Sequence, residues 1–346
     1  MKRFIINLTI IIIVLAALIR VSLEFEGPQE TAMRQMVRLR MDQAAAEPAN
    51  PDSLRVFVCG SASPLGTGQA QACIAVMTPG HFYLVDLGAG AMNNVTSANL
   101  PMSRLQGVFL THFHSDHIAE LYEANLNSWV QGRPEPLRIY GPQGVRSVVN
   151  GINHTYEHDR EYRVTHHGAE LLPPDLGEMQ GVTIKPGVVL EDGDLTVTAY
   201  VADHSPVKPA VGYRFDYRGR SVVISGDSLV TDRTRKITAG ADLLLHDARS
   251  EMAVTTMATA AEKAGRHRLA KILHDIQDYH ASTESLVALG SEVDIGMVAY
   301  YHLVPVPPNL VMRKIFEQDI PDNFVVAHDG MQFELPSGTR EIIVSD

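Results

Sequence analysis

Between Phe4 and Ile19 the chain is apolar at almost every position, interrupted only by Asn7 and Thr9 and fenced by Lys2-Arg3 and Arg20. A run that is apolar all round predicts a helix with no water-facing stripe. The basic start followed by an apolar core reads as a membrane anchor or a secretory signal. The anchor is favoured because Ala16-Ala17 leads into Leu18-Ile19-Arg20 without a small-x-small cleavage site, although the core falls short of the about 20 residues that span a bilayer. Residues 1–25 are thus expected to hold the chain at the periplasmic or outer face of the inner membrane, positive charge staying inside. Residues 26–52 predict a stalk. Gly27-Pro28 opens it, a polar helix follows over about 31–46 with a weak stripe of Met33, Met36, Val37 and Met41, and Pro48-Ala49-Asn50-Pro51 closes it.

From Leu54 the pattern changes to short apolar runs that end in turn residues. Strands are predicted at 54–58, 72–77, 82–87, 137–140, 182–186, 195–201, 212–217, 221–224, 241–245, 295–301, 324–327 and 331–335, with Val108-Phe109-Leu110 as a further buried run. Helices are predicted at about 118–130, after the Gly141–Gly144 turn, as one long element over about 251–276, and after a cap at Ser282 or Thr283. This alternation predicts a single α/β domain over 53–346.

Composition narrows the picture little. A chain of 346 residues with 45% hydrophobic positions, 26 glycines and 19 prolines is ordinary for an α/β enzyme. The net charge of −11 argues against a surface built to track phosphate backbones, so no stable nucleic-acid partner is expected. The two cysteines, Cys59 and Cys73, form no CxxC motif, and two buried thiols are favoured over a disulfide.

The chemistry collects at strand ends. Thr111-His112-Phe113-His114-Ser115-Asp116-His117 follows the apolar run at 108–110 and carries three imidazoles and a carboxylate within six residues. These are the donors that borderline cations such as Zn²⁺ take. His112 and His114, two apart at a strand end, point the same way, and Asp116 with His117 face a second position. His204, Asp227 in Ser225-Gly226-Asp227, and His302 also follow apolar strands. One cation would take His112, His114, His204 and one oxygen of Asp227; the other would take Asp116, His117, His302 and the same Asp227. A hydroxide shared between two such cations is available at neutral pH to attack phosphorus, sulfur or carbonyl centres. Two zincs are expected, Mn²⁺ and Fe²⁺ being the alternatives. Asp86, before Gly88 and Gly90, either bonds a ligand histidine or caps the next helix. The segment 153–167, rich in histidine and tyrosine, is either a pocket wall with His166 or His167 on the substrate or a solvated helix face.

Together, His112-Phe113-His114-Ser115-Asp116-His117, Asp203-His204 with Gly212-Tyr213-Arg214, Ser225-Gly226-Asp227, His246-Asp247-Ala248 and His302 resemble the metallo-β-lactamase superfamily, in its ribonuclease Z-like branch. The resemblance implies an αββα four-layer sandwich with two zincs at one sheet edge. It also implies catalytic roles for Asp116, His246, Asp247 and His280, with His246 near the leaving group as general acid. Asp247 stands where the branch usually has glutamate, and His280 matches the histidine of a His-Ser-Thr-type motif that steadies this region. The long arm of tRNA-processing members is missing here, since only Phe215 to Val223 intervene at its usual place. Residues 120–129, Tyr162-Arg163 with His166-His167-Gly168, and His302–Pro305 resemble the arylsulfatase-like subgroup, which implies Tyr162, His166 and His167 as substrate contacts. The expected function is hydrolysis of small aryl sulfate or phosphate esters by a membrane-held enzyme able to dimerise. A ribonuclease Z-like phosphodiesterase, a lactonase and a metal-binding non-enzyme are the alternatives.

Overall fold

Strands that must bury both faces are apolar at nearly every position, and this chain has enough of them for two packed sheets. The computed structural model describes residues 2–22, 24–44, 52–64, 66 and 68–346, and it divides into Met1–Ala49 and Asn50–Asp346. The first unit holds α1 (Lys2–Ser22) and α2 (Glu26–Ala44). The side chains from Ile11 to Ile19 on α1 are exposed. No helix among the described residues is long and apolar enough to cross a membrane, so the anchor expectation is not borne out. The apolar core between Arg3 and Arg20 is too short for a span. The closing Pro48–Pro51 of the expected stalk lies outside the described residues.

The second unit runs β1 (Ser53–Gly60), β2 (Cys73–Met77), β3 (Phe82–Val85), α3 (Ala91–Ser97), β4 (Gly107–Phe109), α4 (Ser115–Ile118), α5 (Leu121–Val130), β5 (Arg138–Gly141), α6 (Val145–Thr155), α7 (Glu157–His167) and β6 (Gln180–Thr183). It continues with β7 (Gly187–Asp192), β8 (Leu195–Val201), β9 (Val211–Tyr217), β10 (Arg220–Ile224), α8 (Asp232–Thr238), β11 (Ala241–Arg249), α9 (Glu251–Lys263), α10 (His267–Asp275) and α11 (Thr283–Glu292). It ends with β12 (Ile295–Val304), α12 (Leu310–Phe316), β13 (Phe324–Val326), β14 (Gln332–Pro336) and β15 (Ile343–Ser345). One sheet has eight strands in the order β15-β14-β1-β2-β3-β4-β5-β6 and the other seven in the order β13-β12-β11-β10-β9-β8-β7.

Period-two alternation sorts the side chains. Leu54, Val56 and Val58 of β1 join Val197, Phe215, Leu243 and Leu245 between the sheets, while Phe57, Cys59, Ala75 and Leu84 face out toward α3, α5 and α6 with Val95, Leu121 and Val149. On the second sheet Val223, Leu244 and Val298 face out toward Leu286 and Leu289 of α11. The result is the expected αββα sandwich. Strands β3 to β6 pair in parallel, as do β10 to β13, so the C-terminal ends within each set collect at one edge, where open α/β sheets carry their chemistry.

Three local expectations are corrected. The strand predicted at 182–186 stops at Thr183 as the end of β6; residues 184–186 are a bend, and the next strand, β7, opens at Gly187 with φ +123°. The long helix of 251–276 is broken into α9 and α10, because Gly265 adopts the left-handed conformation (φ +69°) that ends a helix. Cys59 and Cys73 form a disulfide rather than two thiols. They lie on antiparallel neighbours β1 and β2, where Gly60 is paired with Cys73, and cross-strand proximity of that kind is invisible in sequence spacing.

Candidate binuclear metal centre

Four strands deliver the site. After β4 the chain turns through His112 and His114 into the single turn of α4, whose first residues include Asp116 and His117. From the second sheet come His204 after β8, Asp227 after β10 and His302 near the end of β12. Gly226 makes the turn to Asp227: its φ is +63°, and a Cβ there would lie 2.7 Å from the Thr111 side chain. His112, His117, Asp116, His204, Asp227 and His302 are buried, and His114 is exposed at the rim.

The donor atoms fall into the two groups expected. His112, His114, His204 and Asp227 bring one ligand atom each within 4.8 Å of one another, as do Asp116, His117 and His302. Asp227 Oδ2 lies 3.8 Å from His112 Nε2 and 3.8 Å from His204 Nε2, and His204 Nε2 is 3.5 Å from His114 Nδ1. Asp227 Oδ1 lies 3.4 Å from both His117 Nε2 and His302 Nε2, while Asp116 Oδ2 is 3.4 Å and 3.1 Å from the same two nitrogens. Zinc bonds of about 2.0–2.2 Å put neighbouring tetrahedral donors roughly 3.3–3.6 Å apart, so the spacings fit cations in both groups, with Asp227 offering one oxygen to each. Buried His112 Nε2, His117 Nε2 and Asp227 Oδ1 have no hydrogen-bond partner among the described residues, and such orphans call for an ion.

Outer contacts fix the tautomers. Asp86 Oδ2 accepts from His117 Nδ1 at 2.8 Å, leaving Nε2 for the centre. Asp86 also accepts from Thr111 N (2.9 Å) and Thr111 Oγ1 (2.8 Å). It therefore orients a ligand; the helix-cap alternative falls away, since the N-cap of α3 is Gly90. His204 Nδ1 donates to the Tyr279 carbonyl at 3.1 Å. Thr111 and Tyr279 were not singled out from the sequence. Burial pushes His112, His114 and His204 below the ordinary imidazole range, keeping them neutral as ligands must be. Burial alone would push the Asp116 and Asp227 carboxyls up, but the imidazoles of His117 and His302 hold both well below the usual range.

Beside the centre, the Asp247 carboxylate accepts from His280 Nδ1 on Oδ2 at 2.9 Å and from Ser228 N on Oδ1 at 3.1 Å, while His246 Nδ1 donates to the Asp247 backbone carbonyl at 2.9 Å with Oδ1 as close. The two histidines differ in outlook. His280 stacks on His302 with ring centroids 5.3 Å apart and groups with Asp227 and His302 within 4.8 Å. His246 is fully buried, and its Nε2 meets no partner among the described residues. The candidate substrate residues Tyr162, His166 and His167 are not brought to the centre. They lie on the exposed face of α7, Tyr162 is 68% exposed, and none lines the cleft at His114 and His204. Of the two readings of that segment, the solvated helix face fits: α7 has one buried residue, Arg160.

Residues 81–302 match the family model described as "Beta-lactamase superfamily domain". The chain belongs to the β-lactamase superfamily. Within the superfamily its relatives place it in the ribonuclease Z-like branch. It is 32% identical over 256 residues to "Ribonuclease Z" of Mycobacterium bovis (strain BCG / Pasteur 1173P2), covering 73% of this chain and 86% of that protein. It is 29% identical to "Ribonuclease Z" of Mycobacterium marinum, covering 73% and 87%. Two solved structures share the fold. The metallo-β-lactamase fold protein YhfI of Bacillus subtilis has a TM-score of 0.59 at 18% identity, covering 82% of this chain and 99% of its own. Human tRNase Z, short form, has 0.57 at 20%, with the same coverage.

Proposed function

We propose that this protein is a binuclear-metal phosphodiester hydrolase. The observation that carries the reading is the bridging carboxylate of Asp227 between two donor groups, with the Asp247–His280 pair alongside. The relatives named ribonuclease Z support phosphodiesters over the sulfate esters and lactones considered from sequence. Two cations bound by these residues would polarise the phosphoryl oxygens and lower the pKa of water. The chain's own groups do the rest. Asp116, His117 and His302 supply one donor set and His112, His114 and His204 the other, joined by Asp227. Asp247 accepts the hydrogen bond from His280 Nδ1 and so supports the imidazolium form of His280, whose Nε2–H would pass to the leaving oxygen, the ring ending neutral with its proton on Nδ1. This role falls to His280 rather than to His246, whose free nitrogen is enclosed.

The sharp turn at Arg218-Gly219 between β9 and β10 favours compact diesters over tRNA, because nothing projects from the domain at that place. The Cys59–Cys73 disulfide supports work in an oxidising compartment after export. Fractionation of the producing cell, with the protein found only among reduced cytosolic proteins, would remove that part. The main test sets zinc-loaded protein against bis(p-nitrophenyl) phosphate, p-nitrophenyl sulfate, a lactone and pre-tRNA. The phosphate diester is expected to turn over fastest, and faster sulfate or lactone hydrolysis refutes the reading.

A further inference from the structure

The cleft that opens onto the centre has a volume of about 430 Å³, within the range that takes a small organic ligand. His114 and His204 form its floor, and behind them His112 Nε2, fully buried and without a hydrogen-bond partner among the described residues, belongs to the same donor group. Its outer wall comes from the end of α10 and the turn after it, Asp275, Asp278 and Tyr279. No lysine or arginine lines it among the described residues. Asp275 is engaged by Lys271 at 2.7 Å. Asp278 is exposed, and no cation lies within ion-pair distance of it among the described residues. Tyr279 is half-buried, held edge-on to His204 at 5.2 Å, and its backbone carbonyl anchors that ligand.

We infer that the substrate of this cleft is a phosphodiester whose alcohol carries a fixed positive charge, seated against Asp278 and the Tyr279 ring. The inference rests on the phosphodiesterase reading and names its substrate class. A diester has one negative charge at phosphorus, which the centre takes. An ammonium group a few bonds away meets a carboxylate and an aromatic face, the two surfaces that attract cations. A polyanion meets repulsion at the same wall. In the reaction one P–O bond forms to the oxygen of water and one ester P–O bond breaks, the departing alcohol leaving with a proton.

The test uses the zinc-loaded full chain and two isosteric diesters, p-nitrophenyl phosphorylcholine and p-nitrophenyl 3,3-dimethylbutyl phosphate, which differ by nitrogen against carbon. The choline diester is expected to have a kcat/KM about tenfold higher, the sum of an exposed ion pair and a cation–π contact, and the ratio should shrink as salt is added. Asp278→Asn and Tyr279→Leu should each reduce the ratio several-fold, while Asp278→Glu and Tyr279→Phe keep most of it. A wild-type ratio of one overturns the inference and leaves the phosphodiesterase reading standing. Hydrolysis of neither diester removes that reading. Calorimetry with choline against 3,3-dimethylbutan-1-ol still decides the wall in that case: tighter choline binding supports it, and equal binding overturns it.

Discussion

The substitution Asp86→Asn isolates the group that orients His117. Asp86 is 1% exposed and sits at φ +58°, a conformation asparagine tolerates well, so the exchange conserves volume and backbone. What changes is the sense of one hydrogen bond. The carboxylate accepts from Thr111 N, Thr111 Oγ1 and His117 Nδ1. If the amide oxygen keeps Thr111 N, its NH₂ faces His117 Nδ1 and donates. The imidazole proton then moves to Nε2, the atom that lies 3.4 Å from both Asp227 and Asp116. Restoring the ligating tautomer means losing a hydrogen bond to a charged acceptor, about 1.5–3 kcal/mol, which is roughly 10- to 150-fold in affinity. The loss falls on the group of Asp116, His117 and His302, because Asp86 contacts none of His112, His114 and His204. Zinc content after dialysis against graded chelator, with a competing chromophoric chelator for the dissociation constants, reads both sites. One metal should bind about as in the wild type and the other should weaken by that factor. Two metals held at wild-type affinity would refute the argument, and loss of both would mean that Asp86 supports the whole fold rather than one ligand.

Removing the shared carboxylate by Asp227→Ala should abolish at least one metal, and unchanged two-zinc content by elemental analysis would sink the bridging assignment. His280→Ala should slow alkyl diesters at least tenfold more than p-nitrophenyl ones, which need no acid; equal losses remove the acid role. In metal-free protein, burial opposes charge on His117 and His302, but the Asp227, Asp86 and Asp116 carboxylates raise His117, and those of Asp227 and Asp116 raise His302, above the ordinary imidazole range. Both therefore hold a proton more readily than a free imidazole, and zinc loading should release protons, seen as a binding heat that varies with the ionisation enthalpy of the buffer. No buffer dependence contradicts this. Replacing Cys59 and Cys73, 14 residues apart, by serine should cost about 3 kcal/mol in urea unfolding; an unchanged midpoint would show that the bridge adds nothing.

How much of this was legible in the sequence follows from what each residue's role depends on. Six of the seven metal donors follow apolar strands and His302 lies near the end of one, and the apolar-run-then-polar pattern exposes that directly, so their grouping was legible in the sequence. The paired use of Asp247 by His246 and His280 could not. It depends on β11 meeting the turn before α11, a contact between segments 33 residues apart. The same holds for Cys59 with Cys73, whose pairing follows from strand register, and for Thr111 and Tyr279, which act through a backbone group or a small hydroxyl with no signature of its own. The histidines of α7 misled because composition reports polarity and says nothing of which way a helix face turns.

Both donor groups draw on both halves of the sandwich. His112, His114, Asp116 and His117 hang from the eight-stranded sheet; His204, Asp227 and His302 hang from the seven-stranded one. A bound cation is therefore a rivet through the seam between the sheets, and neither sheet alone presents a complete socket. Metal occupancy then reports on sheet docking: ligation stabilises only the assembled pair, by an amount that grows with free metal concentration. Two separately produced fragments, cut between β6 and β7, would be joined at one edge by the pairing of β1 with β14 and, at the metal centre, by zinc.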